Sequence, residues 1–356
     1  MKKILSVVLA VVMLFAVVAL AGCSKDPATN NGDAAALKFG MGVVANYGDA
    51  KNADGETNGQ GEVNTTAVAV LLDADSKIVA IDLDTAQYQP QFTSEGKLVA
   101  LEDFRTKYEK GTDYHMAEYG ATMDKNGDGK VLEWNEQADA FMATAKGKTL
   151  AEVKAYMTED GYTTGDLATA GCTIHVTDFI TALEKAVNSA ADSAATANDT
   201  LQVAMTASAS HDNKDATEDA DGLNQVDTTI VAAVVNAEGK VVVSKTDCTQ
   251  GKITFNAKGE ATVDTTAAIQ SKLEQGDAYG MAAAVNYGMD LNGDGKVLEW
   301  YAQAAEFDKA VAGKTASEIG GLVNDKGYGS DDLQTAGCTM AVSDMVKAAV
   351  AAATVA

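Results

Sequence analysis

Asp124-Lys-Asn-Gly-Asp-Gly-Lys-Val-Leu-Glu-Trp134 returns 166 residues later as Asp290-Leu-Asn-Gly-Asp-Gly-Lys-Val-Leu-Glu-Trp300. Further matches surround it in the same order. Val63-Asn-Thr-Thr66 reappears as Val226-Asp-Thr-Thr229, Gly147-Lys-Thr149 as Gly313-Lys-Thr315, and Thr169-Ala-Gly-Cys-Thr173 as Thr335-Ala-Gly-Cys-Thr339. A repeat of this length means two tandem copies of one domain rather than a solenoid of short units. The 356 residues also exceed what one hydrophobic core usually serves. The copies are expected at 38–190 and 200–356. Between them, residues 188–200 are rich in Ala, Ser, Asn, Asp and Thr and lack an apolar stripe, which reads as a linker or a fraying helix end.

Each copy begins as sheet. Residues 63–72 and 77–83 alternate around turn chemistry at 73–77, and 228–235 and 241–245 repeat that hairpin around 236–240. Helix follows. Trp134, Ala138, Phe141 and Ala145 fall at i, i+4, i+7 and i+11, as do Trp300, Ala304, Phe307 and Val311. Gly147 and Gly313 stop that helix, and Thr149 and Thr315 cap short helices over 150–157 and 316–323. A closing helix starts at Thr177 or Ser343, burying Phe179, Ile180, Leu183 and Val187 in the first copy. Strands first and helices afterwards predict an α+β fold, with a small antiparallel sheet followed by helices in each copy.

The N-terminus carries an address. Lys2 and Lys3 precede an apolar run over 4–21, and Leu20-Ala21-Gly22-Cys23 leads into a polar tether through residue 37. The small residues before a lone cysteine resemble the lipobox of bacterial lipoproteins. That resemblance implies a signal peptide over 1–22, diacylation of Cys23 and a lipid anchor holding the protein to the outer side of the bacterial cell membrane. Of the remaining cysteines, Cys172, Cys248 and Cys338 are odd in number and imply no disulfide framework.

Charge excludes several functions. With 27 basic against 51 acidic residues, the formal net charge is −24. A chain this acidic repels nucleic acid and anionic lipid headgroups. The three histidines do not recur between copies: Gly280 faces His115, Ala341 faces His175, and His211 has no histidine counterpart. A histidine-based catalytic centre common to both copies is therefore excluded, and no catalytic residue is assigned.

Two motifs carry chemistry. Asp124, Asn126 and Asp128, and again Asp290, Asn292 and Asp294, offer oxygens at positions 1, 3 and 5 of a loop with glycine at position 6. Backbone carbonyls follow at Lys130 and Lys296, and Glu133 and Glu299 stand at position 10. The spacing resembles the opening half of EF-hand and dockerin calcium loops, although Asn135 and Tyr301 occupy position 12, where those loops place a bidentate glutamate. The alternative is a tight turn capping the tryptophan helix.

The second motif runs from Asp166 through Gly171-Cys172-Thr173 to Thr177, and from Asp332 through Gly337-Cys338-Thr339 to Ser343. It delivers a threonine near a helix N-terminus, where backbone N–H groups favour an anion. With the hairpin and helices before it, each repeat resembles the FMN-binding domain family of extracytoplasmic redox proteins. That resemblance implies FMN esterified to Thr173 and Thr339 by a flavin transferase, with Gly171 and Gly337 admitting the phosphate, and a membrane electron-transfer partner. Ala170, Ala336, Cys172 and Cys338 depart from the family's acceptor motif. Two functions follow as expectations. One is a lipid-anchored, non-enzymatic binding or structural protein with one calcium loop per domain; the other is a flavin-carrying electron-transfer lipoprotein.

Overall fold

In the computed structural model, which describes residues 36–118, 124, 127, 129–283 and 290–354, each copy opens on long antiparallel strands. The first copy has β1 (Lys38–Lys51), β2 (Gly59–Leu72) and β3 (Ile78–Tyr88), then the short β4 (Gln91–Phe92) and β5 (Leu98–Val99). Its helices are α1 (Lys107–Lys110), α2 (Trp134–Ala145), α3 (Leu150–Lys154), α4 (Gly165–Thr169) and α5 (Thr177–Asn188). A two-residue strand, β6 (Ala191–Asp192), then pairs with the start of β1. The second copy has β7 (Thr200–Ala209), β8 (Gly222–Val235) and β9 (Val241–Phe255), followed by α6 (Lys272–Gln275), α7 (Trp300–Val311), α8 (Ala316–Ile319), α9 (Asp331–Thr335) and α10 (Ser343–Ala353). The α+β class, with two antiparallel sheets each followed by helices, is as the sequence predicts.

The two copies lie in one unit, Ala35–Ala356, and their sheets pack face to face. Alternation along the strands builds this arrangement. Ala67, Ala69 and Leu71 of β2 share a core with Ile230, Ala232 and Val234 of β8. The intervening Val68, Val70 and Leu72 pack under α2 and α5, and Val231, Ala233 and Val235 pack under α7 and α10. The order of layers is therefore helix, sheet, sheet, helix. Burial of both sheet faces explains why the ends of β2 and β8 are continuously apolar instead of alternating with polar residues. Each fully buried Val, Leu or Ile contributes about 1.5–3 kcal/mol.

A pseudo-dyad relates the copies. Phe92 and Phe255 are equivalent residues, 163 apart, and stack on each other with centroids 4.5 Å apart and planes 3° from parallel. The stretch 188–200 is more than a linker: after β6, Leu37 N–H donates to the Ala195 carbonyl at 2.9 Å, and Ala195 is buried in the shared core. The copies also differ locally. Pro90 has no N–H to donate and interrupts the first copy's third strand, whereas the second copy, with Ile253 at that position, runs unbroken to Phe255.

The short helices end earlier than the sequence suggests, at Lys154 and Ile319, the second continuing as a 3-10 turn through Leu322. Their caps are as expected. Thr149 and Thr315 each form a capping box, with Glu152 and Glu318.

Candidate functional site

The acidic loops are built from their first aspartate. In the second copy, Asp290 accepts the N–H groups of Asp294 at 3.1 Å and Gly295 at 2.9 Å, and Asp294 accepts that of Lys296 at 2.8 Å. In the first, Asp124 accepts the N–H groups of Gly127 and Gly129, while Asn126 and Asp128 lie outside the described residues. Gly129 and Gly295 both have φ of 78°, a conformation that explains glycine at position 6.

Glu133 and Glu299 point elsewhere. Glu133 accepts the N–H groups of Met116 and Ala117 at 2.9 and 3.3 Å, and Glu299 those of Met281 and Ala282 at 2.8 and 3.2 Å. They staple the tryptophan helix to the turn before the acidic loop. Among the described residues no group of three His, Cys, Asp or Glu side chains stands at metal-binding spacing. Two loop oxygens are buried and accept no hydrogen bond: Asn292 Oδ1, at position 3 of the second loop, and Asn135 Oδ1, at position 12 of the first.

The Gly-Cys-Thr loops are closed by a residue the sequence reading passed over. Gln137 and Gln303, both fully buried, reach across from α2 and α7. Gln137 Oε1 accepts the Thr173 N–H at 2.7 Å, and Gln303 Oε1 accepts those of Thr339 at 2.8 Å and Met340 at 2.9 Å. Their amides donate to the Leu132 and Leu298 carbonyls. The loop N–H groups that would face a phosphate are thus taken by glutamine. Thr173 and Thr339 are buried, and Thr339 Oγ1 has no hydrogen-bond partner. Gly171 and Gly337, at φ of 102° and 101°, leave room for Leu132 and Leu298, whose Cδ1 atoms would stand 2.6 and 2.8 Å from an added Cβ.

All three described cysteines are free and buried. Cys172 belongs to the first copy's helical core and Cys338 to the second's, so the face-to-face sheets do not bring them together. Burial pushes the Cys172 and Cys338 thiols up to about 12 and Cys248 to about 11, far from a nucleophilic thiolate. The three histidines are exposed.

The repeat does preserve another constellation. Thr106-Lys107-x-Glu109-x-Gly111-x-x-Tyr114 returns as Ser271-Lys272-x-Glu274-x-Gly276-x-x-Tyr279. Thr106 and Ser271 form capping boxes with Glu109 and Glu274. A buried strand aspartate anchors each from below. Asp84 accepts the Thr85 N–H at 2.6 Å and the Tyr108 N–H at 3.3 Å; Asp247 accepts those of Cys248 at 2.7 Å and Leu273 at 3.1 Å. Burial raises Asp84 to about 7 and Asp247 to about 6, against the opposing hydrogen bonds from Thr106 and Ser271.

These anchors aim one lysine per copy beneath two aromatic rings. Lys107 Nζ lies 5.0 Å from the Tyr114 centroid and 5.9 Å from that of Trp134; Lys272 Nζ lies 4.9 Å from Tyr279 and 5.5 Å from Trp300. Among the described residues no carboxylate stands within 4 Å of either ammonium. Burial lowers Lys107 to about 8. Burial also pulls Lys272 down, but Cys248, Tyr279 and Asp227 more than offset it, and it stands at about 12. One carboxylate on the adjoining strand has changed place between copies: Glu62 and Asn64 in the first become Gln225 and Asp227 in the second. In both, the amide donates to the acid, at 2.9 Å from Asn64 and 2.6 Å from Gln225. Spacing of the two lysines within the repeat was the available signal, obscured by the more conspicuous glycine-rich motifs.

Searches for a matching protein family, a characterised relative or a similar solved structure find none for this chain. No helix among the described residues is long and apolar enough to cross a membrane; the apolar run 4–21 and Cys23 lie outside them.

Proposed function

We propose that this is a lipid-anchored, extracytoplasmic binding protein in which two fused copies of one α+β module each present a lysine-floored cleft. It holds a ligand rather than turning one over. The observation that carries this reading is the repeated lysine, set under Tyr and Trp in both copies, half-buried in the first and buried in the second, with no carboxylate within 4 Å among the described residues. At Lys107, which burial lowers to about 8, enclosing the ammonium costs folding free energy, and a fold that keeps a lysine at this place in both copies has a use for it. Nucleophile–base pairing has no support at the second cleft, where Cys248 is held protonated.

The only two tryptophans, Trp134 and Trp300, sit one in each cleft, so intrinsic fluorescence reports on both. Single Trp→Phe variants separate the two signals. A saturable change with a small polar ligand, weakened by Lys107→Met or Lys272→Met, is the expected result. A yellow protein with FMN-sized mass increments at Thr173 and Thr339 would instead overturn this reading in favour of the flavin carrier.

Calcium is a second reading, favoured by the donorless Asn292 Oδ1. Asp290, Asn292 and Asp294 would hold the ion and stiffen the loop. With Glu299 committed to backbone N–H groups, affinity in the weak, extracellular range of roughly 10⁻⁴–10⁻³ M is expected. Calorimetric titration of calcium into the protein and its Asn292→Ala variant tests this. Equal heats from both would sink it.

A further inference from the structure

The two lysine clefts have diverged in sequence, and the second copy holds a cavity beside its lysine. In the first, Phe179 stands edge-on to Trp134 with centroids 5.8 Å apart, and His175 packs against Tyr162 at 5.3 Å. The second copy has Met345 and Ala341 at those positions. There a cavity of about 200 Å³ lies between Trp300, Lys272 and the start of α10.

Its walls carry both signs of charge. Lys272, only 9% exposed, supplies an ammonium. The first turn of the eleven-residue α10 adds N–H groups that have no intrahelical acceptor, and its N-cap, Val342, offers no side-chain bond to them. Asp227 and Asp344 supply carboxylates. Neither carboxylate touches the lysine: Asp344 takes Ser208 Oγ at 2.7 Å and Lys347 Nζ at 3.1 Å, and Asp227 takes the Gln225 and Gln250 amides at 2.6 and 3.2 Å. Each carboxylate keeps lone pairs beyond those bonds. A simple anion would meet the lysine favourably and the two carboxylates unfavourably, and a simple cation the reverse. A molecule carrying both charges a few ångströms apart meets every wall favourably.

We propose that the cavity of the second copy binds a small zwitterion of the free α-amino acid class. Its carboxylate lies against Lys272 and the α10 N-terminus, and its ammonium faces Asp227 and Asp344. The inference rests on the two-cleft reading above and names the ligand for one of the clefts. A volume of about 200 Å³ admits a small or medium side chain and excludes a peptide. Alanine, with about six non-hydrogen atoms, has enough binding potential to reach a millimolar Kd or better.

The test is a titration of the Trp134→Phe protein, followed by Trp300 fluorescence and by calorimetry, with L-alanine, acetate and methylammonium as probes. Saturable binding of L-alanine at least tenfold tighter than either half-molecule is expected. Lys272→Met should weaken it at least tenfold. Ala341→His restores the residue the first copy carries at this exposed rim; it should abolish binding while leaving the unfolding midpoint in place. Acetate binding as tightly as L-alanine would overturn the zwitterion assignment in favour of an anion site, and methylammonium doing so would overturn it in favour of a cation site. No saturation by L-alanine up to about 10 mM also overturns it. The same probes on Trp300→Phe keep the two claims distinct, because a response at Trp134 alone preserves the two-cleft reading while removing the ligand assignment from the second copy.

Discussion

Two buried threonine hydroxyls at the sheet–sheet contact have opposite fates, and substituting them tests the face-to-face packing. Thr65 Oγ1 and Thr249 Oγ1 bond each other across the sheets at 2.9 Å, with both residues only 1% exposed. The pseudo-dyad maps Thr65 onto Thr228 and Thr249 onto Ala86. Thr228 therefore faces an alanine, and its hydroxyl is buried without a partner. Thr249→Val removes one end of a satisfied pair and strands the other, at a cost of about 1–3 kcal/mol; Thr65→Val should cost the same. The double Val variant strands nothing, so it should fall short of the summed single losses by about 1 kcal/mol or more. Thr228→Val deletes a hydroxyl that already has nothing to bond, so it should be neutral or stabilise by up to about 1 kcal/mol. Urea unfolding at neutral pH, read as a midpoint change at constant slope, measures all four. Equal losses for Thr228→Val and Thr249→Val would refute the assigned pairing and with it the register between the sheets.

The buried strand acids make stability depend on pH in an unusual direction. Asp84 and Asp247 stand above their unfolded values near 4, so the native state holds extra protons between pH 4 and about 7 and loses stability as pH rises through that window. The unfolding midpoint should climb from pH 7.5 to pH 5, and Asp84→Asn with Asp247→Asn should flatten that climb. Gly40 and Gly42 let α5 lie directly on β1, since an added Cβ would overlap the carbonyls of Ala186 and Ala182. Gly42→Ala should cost about 1–3 kcal/mol or more by thermal unfolding, whereas Ala204→Gly at the equivalent position in β7 should cost far less. Gln303→Leu strands the Thr339 and Met340 N–H groups and should destabilise by several kcal/mol, with Gln137→Leu behaving alike in the first copy.

The repeat, the hairpins and the starts of α2, α5, α7 and α10 were legible because each is a local pattern of period, cap or turn. The first strands of the copies, β1 and β7, were not. Gly40, Gly42 and the polar positions of β7 weaken the local strand pattern, and their roles come from the helices and sheets packed on them. The sheet–sheet contact left a trace in the continuous apolar runs ending β2 and β8, but such runs do not say what covers the second face. At the candidate sites, the motifs that read as ligand chemistry are largely consumed by the fold. Glu133 and Glu299 staple a turn, Gln137 and Gln303 fill the loop, and Gly171 and Gly337 make room for leucines. Spacing alone does not distinguish an oxygen aimed at a cation from one aimed at a neighbouring N–H.

Fusion of the copies gives that consumption a consequence. Each sheet is covered on one face by its own helices and on the other by its twin, so the residues least free to change are those facing inward across the pseudo-dyad, such as Phe92 and Phe255. The clefts lie on the opposite side of the sheets, where each copy builds its helical core from its own helices and the twin reaches in only at the rim, as where Lys185 of α5 pairs with Glu274. A change there, such as His175 in one copy against Ala341 in the other, leaves the shared core untouched. The same covalent arrangement that makes the core symmetric therefore lets the two lysine clefts differ, with Phe179 edge-on to the tryptophan in one and Met345 beside a cavity in the other. If binding is confined to the second copy, the first remains indispensable as the other half of the core. Deleting it should expose the inner face of β7–β9 and unfold the second cleft, a loss of structure that circular dichroism of a 200–356 fragment would register.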